Sequence, residues 1–346
     1  MSEGRSYYEG AADYDAETVR FFDVAHEGAH MRAVTEAASL LAGLEGSTPR
    51  SVVVLVTDAI AEAAAQCAVA VLGYDRAPVT VTRSLPEFVG ALDVLIVVGD
   101  APDAESATRQ LNAAAGRGAE VILAGPAGGP VVEDASTRVI QLPTPPTALG
   151  ASPLRTIAAI AAVITTLDGA VSLIDGLADA IDEELTGLSP ERDVSVNSAR
   201  QLREFIAGSR VLHTGYTPVG VAVAKLIAAL WSARGLPSGF VGREDLGPTL
   251  EASFRNGDST AESNPQADPN DIFYDPFIDG PPAEVPVKTI VWAQREPHLA
   301  GARAEYVEDD TMNSIPTAAG APGADAHHLA AALRLIVRGL ATTALN

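Results

Sequence analysis

Histidine and glutamate fall as His26-Glu27-Gly28-Ala29-His30, the H-E-x-x-H pattern that on one helix aims two imidazoles at a zinc ion. Such a site needs a third ligand. Neither the metzincin continuation nor a well-placed downstream glutamate follows, and Glu45, the nearest, is succeeded at once by a helix break. The expectation is a half-exposed helix carrying two solvated histidines, with no metal and no cofactor. A second pair, His327-His328, opens the last predicted helix and by itself reads as solvent-facing. Gly215-Tyr-Thr-Pro-Val-Gly220 lies between a predicted strand and a predicted helix, where a phosphate loop would lie. It lacks the Gly-Lys-Ser/Thr ending of a nucleotide-binding loop. The hydroxyls of Thr214, Tyr216 and Thr217 suit a small anionic ligand, and an ordinary strand–helix turn is the plainer reading. Glu244, Asp245 and Glu251 supply carboxylates of the type a general base requires.

These groups hang on a regular alternation of strands and helices. Residues 51–56 (SVVVLV) and 93–98 (DVLIVV) are continuous apolar runs, the mark of strands buried on both faces of a parallel sheet. Shorter strands are predicted at 79–82, 120–124 and 138–142, with helices at 59–72 and 103–115. Alternation of this kind implies right-handed crossovers and a doubly wound sheet. Before it, apolar residues from Val19 to Leu41 recur at helical spacing and predict one helix over 17–44. After it, residues 154–188 are strongly helical, and 190–197 read as a linker. A similar unit then begins, with helices at 198–207, 219–234 and 326–343 and strands at 210–214, 289–293 and 304–307. The polar stretch 256–286 holds Ile272, Phe273, Tyr274, Phe277 and Ile278, so a docked lid or interface loop is expected there.

Composition bounds the class. A chain of 346 residues implies two domains, and 47% hydrophobic residues supply a sizeable core. With 5% aromatics, Ala, Val, Leu and Ile must fill it. The formal charge of −22, with Lys225 and Lys288 the only lysines, opposes nucleic-acid and anionic-membrane binding. A lone cysteine, Cys67, excludes a disulfide framework. The first residues lack the basic-then-apolar order of a signal peptide, so a cytoplasmic location is expected.

The order of segments from 51 to 165 resembles the first SIS domain of the bifunctional glucose-6-phosphate/mannose-6-phosphate isomerases, within the phosphosugar isomerase superfamily. Their Gly-Gly-Ser-Ala-Ile turn is matched by Val56-Thr-Asp-Ala-Ile-Ala61, and their Arg-x-(Tyr)-x-Leu-Pro segment by Thr82-Arg-Ser-Leu-Pro-Glu-Phe-Val89. Val98-Gly-Asp-Ala-Pro-Asp-Ala-Glu-Ser106 stands where their hydroxyl-rich loop stands, and Thr144-Pro-Pro-Thr-Ala-Leu-Gly150 matches their later helix start. Asn197-Ser-Ala-Arg-Gln-Leu202 echoes their Asn-Pro-Ala-Lys-Gln-Leu helix.

The resemblance implies an α/β fold of two doubly wound parallel-sheet SIS (flavodoxin-like sandwich) domains with helical N-terminal and C-terminal segments. Residues 1–48 form the N-terminal helical segment, 49–188 the first domain and 189–346 the second. It also implies a homodimer that binds a sugar phosphate or related small carbohydrate. Asp58, Arg83, Asp100, Glu105, Ser106, Thr214, Tyr216 and Thr217 are the candidate binding residues, although an N-cap role alone accounts for Asp58. The family's standard catalytic groups are missing. Trp231 stands where the isomerases place their glutamate base, their His-Asn-Glu motif aligns with Gly247-Pro-Thr-Leu-Glu251, and their late lysine has no counterpart. Two readings stay open: an isomerase using Glu251, His327 or His328 as substitutes, and a non-catalytic sugar-phosphate sensor or interaction scaffold.

Overall fold

The computed structural model describes residues 15–101, 104–145, 150–170, 174, 176–257, 285–307 and 324–346. Asp15 caps α1 (Ala16–Ala25) by accepting from the Glu17 and Thr18 amides. The chain then bends at His26, so the helix expected over 17–44 is in fact α1, α2 (Glu27–Glu36) and a 3-10 segment at Ala38–Leu44. The bend lets two apolar faces find the same core: Phe21 and Val24 on α1, Met31 and Val34 on α2.

The first sheet follows. β1 (Ser51–Val56) leads through α3 (Ala59–Leu72) to β2 (Val79–Thr82), and then back across to β3 (Asp93–Val98). Next come α4 (Glu105–Gly116), β4 (Glu120–Ala124), α5 (Pro130–Glu133) and β5 (Ile140–Gln141). All pairings are parallel and the strand order is β2-β1-β3-β4-β5. Strand alternation sorts the valines. Val52, Val54 and Val56 face one apolar cluster, while Val53 and Leu55 face another with Leu111 and Val131. Both faces are thus covered by helices, as a parallel sheet requires.

The helical stretch expected over 154–188 is two helices, α6 (Pro153–Asp168) and α7 (Leu177–Gly187), with α6 ended by left-handed Gly169. The second sheet is assembled from α8 (Ser198–Ile206), β6 (Arg210–Gly215), α9 (Pro218–Ala233), β7 (Ser238–Phe240), α10 (Arg243–Gly257), β8 (Val287–Trp292), β9 (Arg303–Glu305) and α11 (Ala324–Thr342). Its order is β7-β6-β8-β9, again parallel throughout. β7 and α10 were not expected, and most of the stretch 256–286 lies outside the described residues.

The sheets share one continuous core. Val54 and Ile96 of the first sheet belong to the same apolar cluster as Val211, Ile290 and Trp292 of the second. α3 and α9 pack between them. The α3 face is built from Ala61, Ala64, Ala65 and Ala68, all buried, so few aromatics are needed to close the gap. Two sheets therefore do not make two separate cores, which qualifies the two-domain expectation. Trp231 is a keystone of this layer. It is fully buried, its ring lies edge-on to His213 at 4.6 Å, and its indole N–H donates to the Gly339 carbonyl of α11 at 2.7 Å. Trp231→Ala is predicted to cost about 3–5 kcal/mol in urea unfolding. A loss below about 1 kcal/mol, within the range of an ordinary surface change, would contradict this packing.

Candidate functional site

In a doubly wound sheet, ligands settle beyond the carboxyl ends of the strands, where the chain leaves one strand to one side and its neighbour to the other. This chain has two such switch points, between β1 and β3 and between β6 and β8.

The first is closed by the protein's own charges. Asp58 caps α3, its Oδ1 accepting from Ala61 N–H at 2.8 Å, and its Oδ2 accepts from Asp100 N–H at 2.9 Å. Gly99 makes that approach possible: its φ is +124°, and a Cβ there would lie 2.1 Å from Thr57 Oγ1. Asp100 accepts from Ser152 N–H, just before the first turn of α6, at 2.8 Å and forms an ion pair with Arg155. Arg155 is 1% exposed and also donates to the Gly125 carbonyl and Thr144 Oγ1. The starts of α3 and α6, where backbone N–H groups and helix dipoles attract anions, are thus already answered by carboxylates.

Glu27 lies behind this pair. Its Oε2 accepts from Ser152 Oγ–H at 3.0 Å and Leu154 N–H at 3.1 Å. Burial pushes its carboxyl up to about 7, against the pull of those two hydrogen bonds. Burial, with nearby Arg155, pushes His30 down to about 4, and neither ring nitrogen has a partner. Burial likewise lowers Arg155 to about 10, with Glu27 and Asp58 opposing the shift. The two histidines expected to be solvated are therefore corrected. His26 is the half-buried joint between α1 and α2, its Nδ1 near the Phe22 carbonyl, and His30 is core. Among the described residues no group of three or more His, Cys, Asp or Glu is arranged to hold a metal.

The second switch point carries neutral hydroxyls instead. Thr217 caps α9 through Oγ1, accepting from Gly220 N–H at 3.0 Å. Gly215 lies against the start of that helix, and a Cβ on it would come within 2.2 Å of the Gly220 carbonyl carbon. Tyr216 donates its hydroxyl to the Pro297 carbonyl at 2.8 Å. The Arg243 guanidinium stands 5.0 Å over the Tyr216 ring, and the His298 ring is 6.2 Å away. Thr214 is fully buried and its Oγ1 has no partner. The loop after β8 holds Ala293 at φ +55° and His298 at φ +49°, the two non-glycine residues with positive φ among those described. Such backbone is uncommon outside glycine and clusters at functional sites.

The remaining candidates are dispersed. Arg83 pairs with Glu62 of α3 at 2.7 Å on the surface, and Glu105 pairs with Arg109 at 2.9 Å. Ser106 accepts from Gln110. Glu251 is exposed on α10, while His327 and His328 occupy the start of α11, with His328 half-buried. Thus Asp58 and Asp100 meet at one switch point, and Thr214, Tyr216 and Thr217 gather at the other. Sequence reasoning missed Arg155, Ser152, Arg243 and His298 and gave Glu27 only a zinc-motif reading. Arg155 had a signal, since it is the one basic residue in the largely apolar α6.

The fold has counterparts of known structure. The C-terminal domain of glucosamine-fructose-6-phosphate aminotransferase from Francisella tularensis superposes with a TM-score of 0.55 at 11% identity, over 96% of this chain and 97% of that one. Tagatose-6-phosphate ketose/aldose isomerase from Escherichia coli gives 0.53 at 12% identity, over 94% of this chain and 92% of that one. At these identities the likeness is one of fold. No family model matches the sequence, and no curated protein matches it.

Burial of Glu27 has a measurable consequence. A carboxyl raised from 4.5 to about 7 supports the fold while protonated, so its contribution is full below about pH 4.5 and lost as pH rises through about 7. His30 acts at the acid end, stabilising above its ordinary 6.5 and losing that contribution as pH falls through about 4. Glu27→Gln removes only the first effect. Between about pH 5 and pH 8 the variant is predicted to gain roughly 3 kcal/mol on the wild type, read by urea unfolding across a pH series. Parallel stability–pH curves would contradict it.

Proposed function

We propose that this protein binds a carbohydrate derivative, a sugar phosphate or a related small sugar, in the crevice where β6 and β8 end. It does so on a phosphosugar-isomerase fold without the standard isomerisation residues of that group. One contrast carries the reading. At the first switch point the helix-end donors are answered by Asp58 and Asp100, whereas at the second they meet the uncharged hydroxyl of Thr217. A phosphate would be repelled at the first, and at the second it finds Arg243 beside an aromatic ring with polar groups at its edge.

The counterpart structures favour the same ligand class, since both are named for hexose-6-phosphate chemistry. Isomerisation itself needs a positioned general base. Trp231, at the position the resemblance assigns to that base, is a core side chain bonded to α11. Binding without turnover describes a sensor.

A melting-curve screen against glucose-, fructose- and mannose-6-phosphate and the free sugars tests this. A ligand at about 100 times its Kd is expected to add about 2.7 kcal/mol of stability. The shift should be lost in Tyr216→Ala and Arg243→Ala, with no aldose–ketose conversion in a coupled assay. No shift across the panel would defeat the reading. Conversion that disappears in Glu251→Gln would place the protein among the enzymes instead.

A further inference from the structure

Away from both switch points, a cavity of about 760 Å³ opens beside β9, the edge strand of the second sheet, where α7, α8 and α11 converge. That size falls within the range of small-molecule sites. Neither Tyr216, Thr217, Arg243 nor His298 lines it.

Its wall is an ion network. Glu184 of α7 and Glu305 of β9 are 7% and 3% exposed. All four of their carboxylate oxygens are answered. Glu184 Oε1 accepts from Arg338 at 2.9 and 3.0 Å, and its Oε2 accepts from Arg334 Nε at 3.0 Å. Glu305 Oε1 accepts from Arg303 Nε at 2.6 Å, and its Oε2 from Arg338 at 3.0 Å. The carboxylates have therefore turned their lone pairs inward.

What the network leaves over is donors. Each guanidinium has five N–H groups and no acceptor. Arg334 places only Nε on Glu184, so both its terminal nitrogens are without a hydrogen bond among the described residues. Arg303 uses Nε and one terminal nitrogen, the latter on the Gln201 carbonyl at 3.1 Å. Both side chains line the cavity and are reachable, at 27% and 25% exposed. Ser195 and Ser198 add hydroxyls to the same wall. Three arginines face two buried glutamates, and the exposed Glu183 brings the lining to neutrality, so what it offers is unspent donors rather than net charge. Apolar side chains of similar volume would stabilise such a junction as well as a buried ion network does. The network instead holds the Arg334 fork in one orientation, which suits bidentate capture of an oxyanion.

We infer that this cavity is a binding site for a small oxyanion, the carboxylate or phosphate group of a polar metabolite, seated on the unspent N–H groups of Arg334 and Arg303. It is separate from the carbohydrate crevice and does not depend on it.

Titration calorimetry of the full chain in chloride-only buffer, with inorganic phosphate in one arm and malonate in the other, tests the inference. Saturable binding of at least one is expected, and the arm that binds tells a phosphate source from a carboxylate source. Arg334→Gln should weaken it at least tenfold, because Glu184 remains held by Arg338 while the free fork is gone. Arg334→Lys keeps the charge without the fork and should lose affinity too, a check that stands if the Gln variant folds poorly. Arg109→Ala, a change on the exposed face of α4, should leave it unchanged. Absence of saturable binding in both arms, or affinity indifferent to Arg334, would each overturn the site.

Discussion

A single buried ion pair, Asp100 with Arg155, sets the character of the first sheet. Arg155 gathers the end of β3, the Gly125 carbonyl beyond β4, and Thr144 before α6 into one junction. Removing a partner from such a pair leaves an uncompensated buried charge, which typically costs about 3–5 kcal/mol. The arrangement needs both ends. Asp100 reaches Arg155 only because Gly99 lets its loop lie against Thr57 and Asp58. Glu27 can be buried behind the pair because α1 breaks at His26 and a new helix starts. Residues that look unrelated along the chain are thus parts of one electrostatic solution.

That solution decides what each sheet can do. Helix ends at strand termini attract anions, and a protein can leave that attraction for a ligand or satisfy it internally. Here the first sheet satisfies it with two aspartates, whereas among the described residues the second meets it with the neutral Thr217. The strained loop after β8, the Tyr216 ring and Arg243 belong to the second sheet only. Two sheets of the same order, joined through the α3–α9 layer, have therefore diverged at the positions where chemistry would occur.

The legibility of the chain follows from the same physics. β1, β3 and α3 were readable because burial on both sides of a sheet demands unbroken apolar runs, and their bounds agree with expectation. β7 and α10 were not, since Gly239, Gly242, Gly247 and Pro248 interrupt any period and their burial is slight. Thr214, Tyr216 and Thr217 could be picked out because a strand must turn into a helix there. Arg243 and His298 could not, as their place beside Tyr216 comes from separate loops meeting in space. Arg155 is the instructive omission: one guanidinium in an apolar helix must find a carboxylate, and the search for a partner leads to Asp100. The histidines of the H-E-x-x-H run were expected in solvent, yet His30 is core, because local spacing says nothing of which face the fold will bury.

The most direct measurement is a crystal structure of the protein with the sugar phosphate that best raises its melting temperature. The account predicts the phosphate against Arg243 and Thr217, with Tyr216 along the sugar and the Asp58–Asp100–Arg155 junction undisturbed. A phosphate bound between β1 and β3, with Arg155 turned from Asp100 to the ligand, would contradict it.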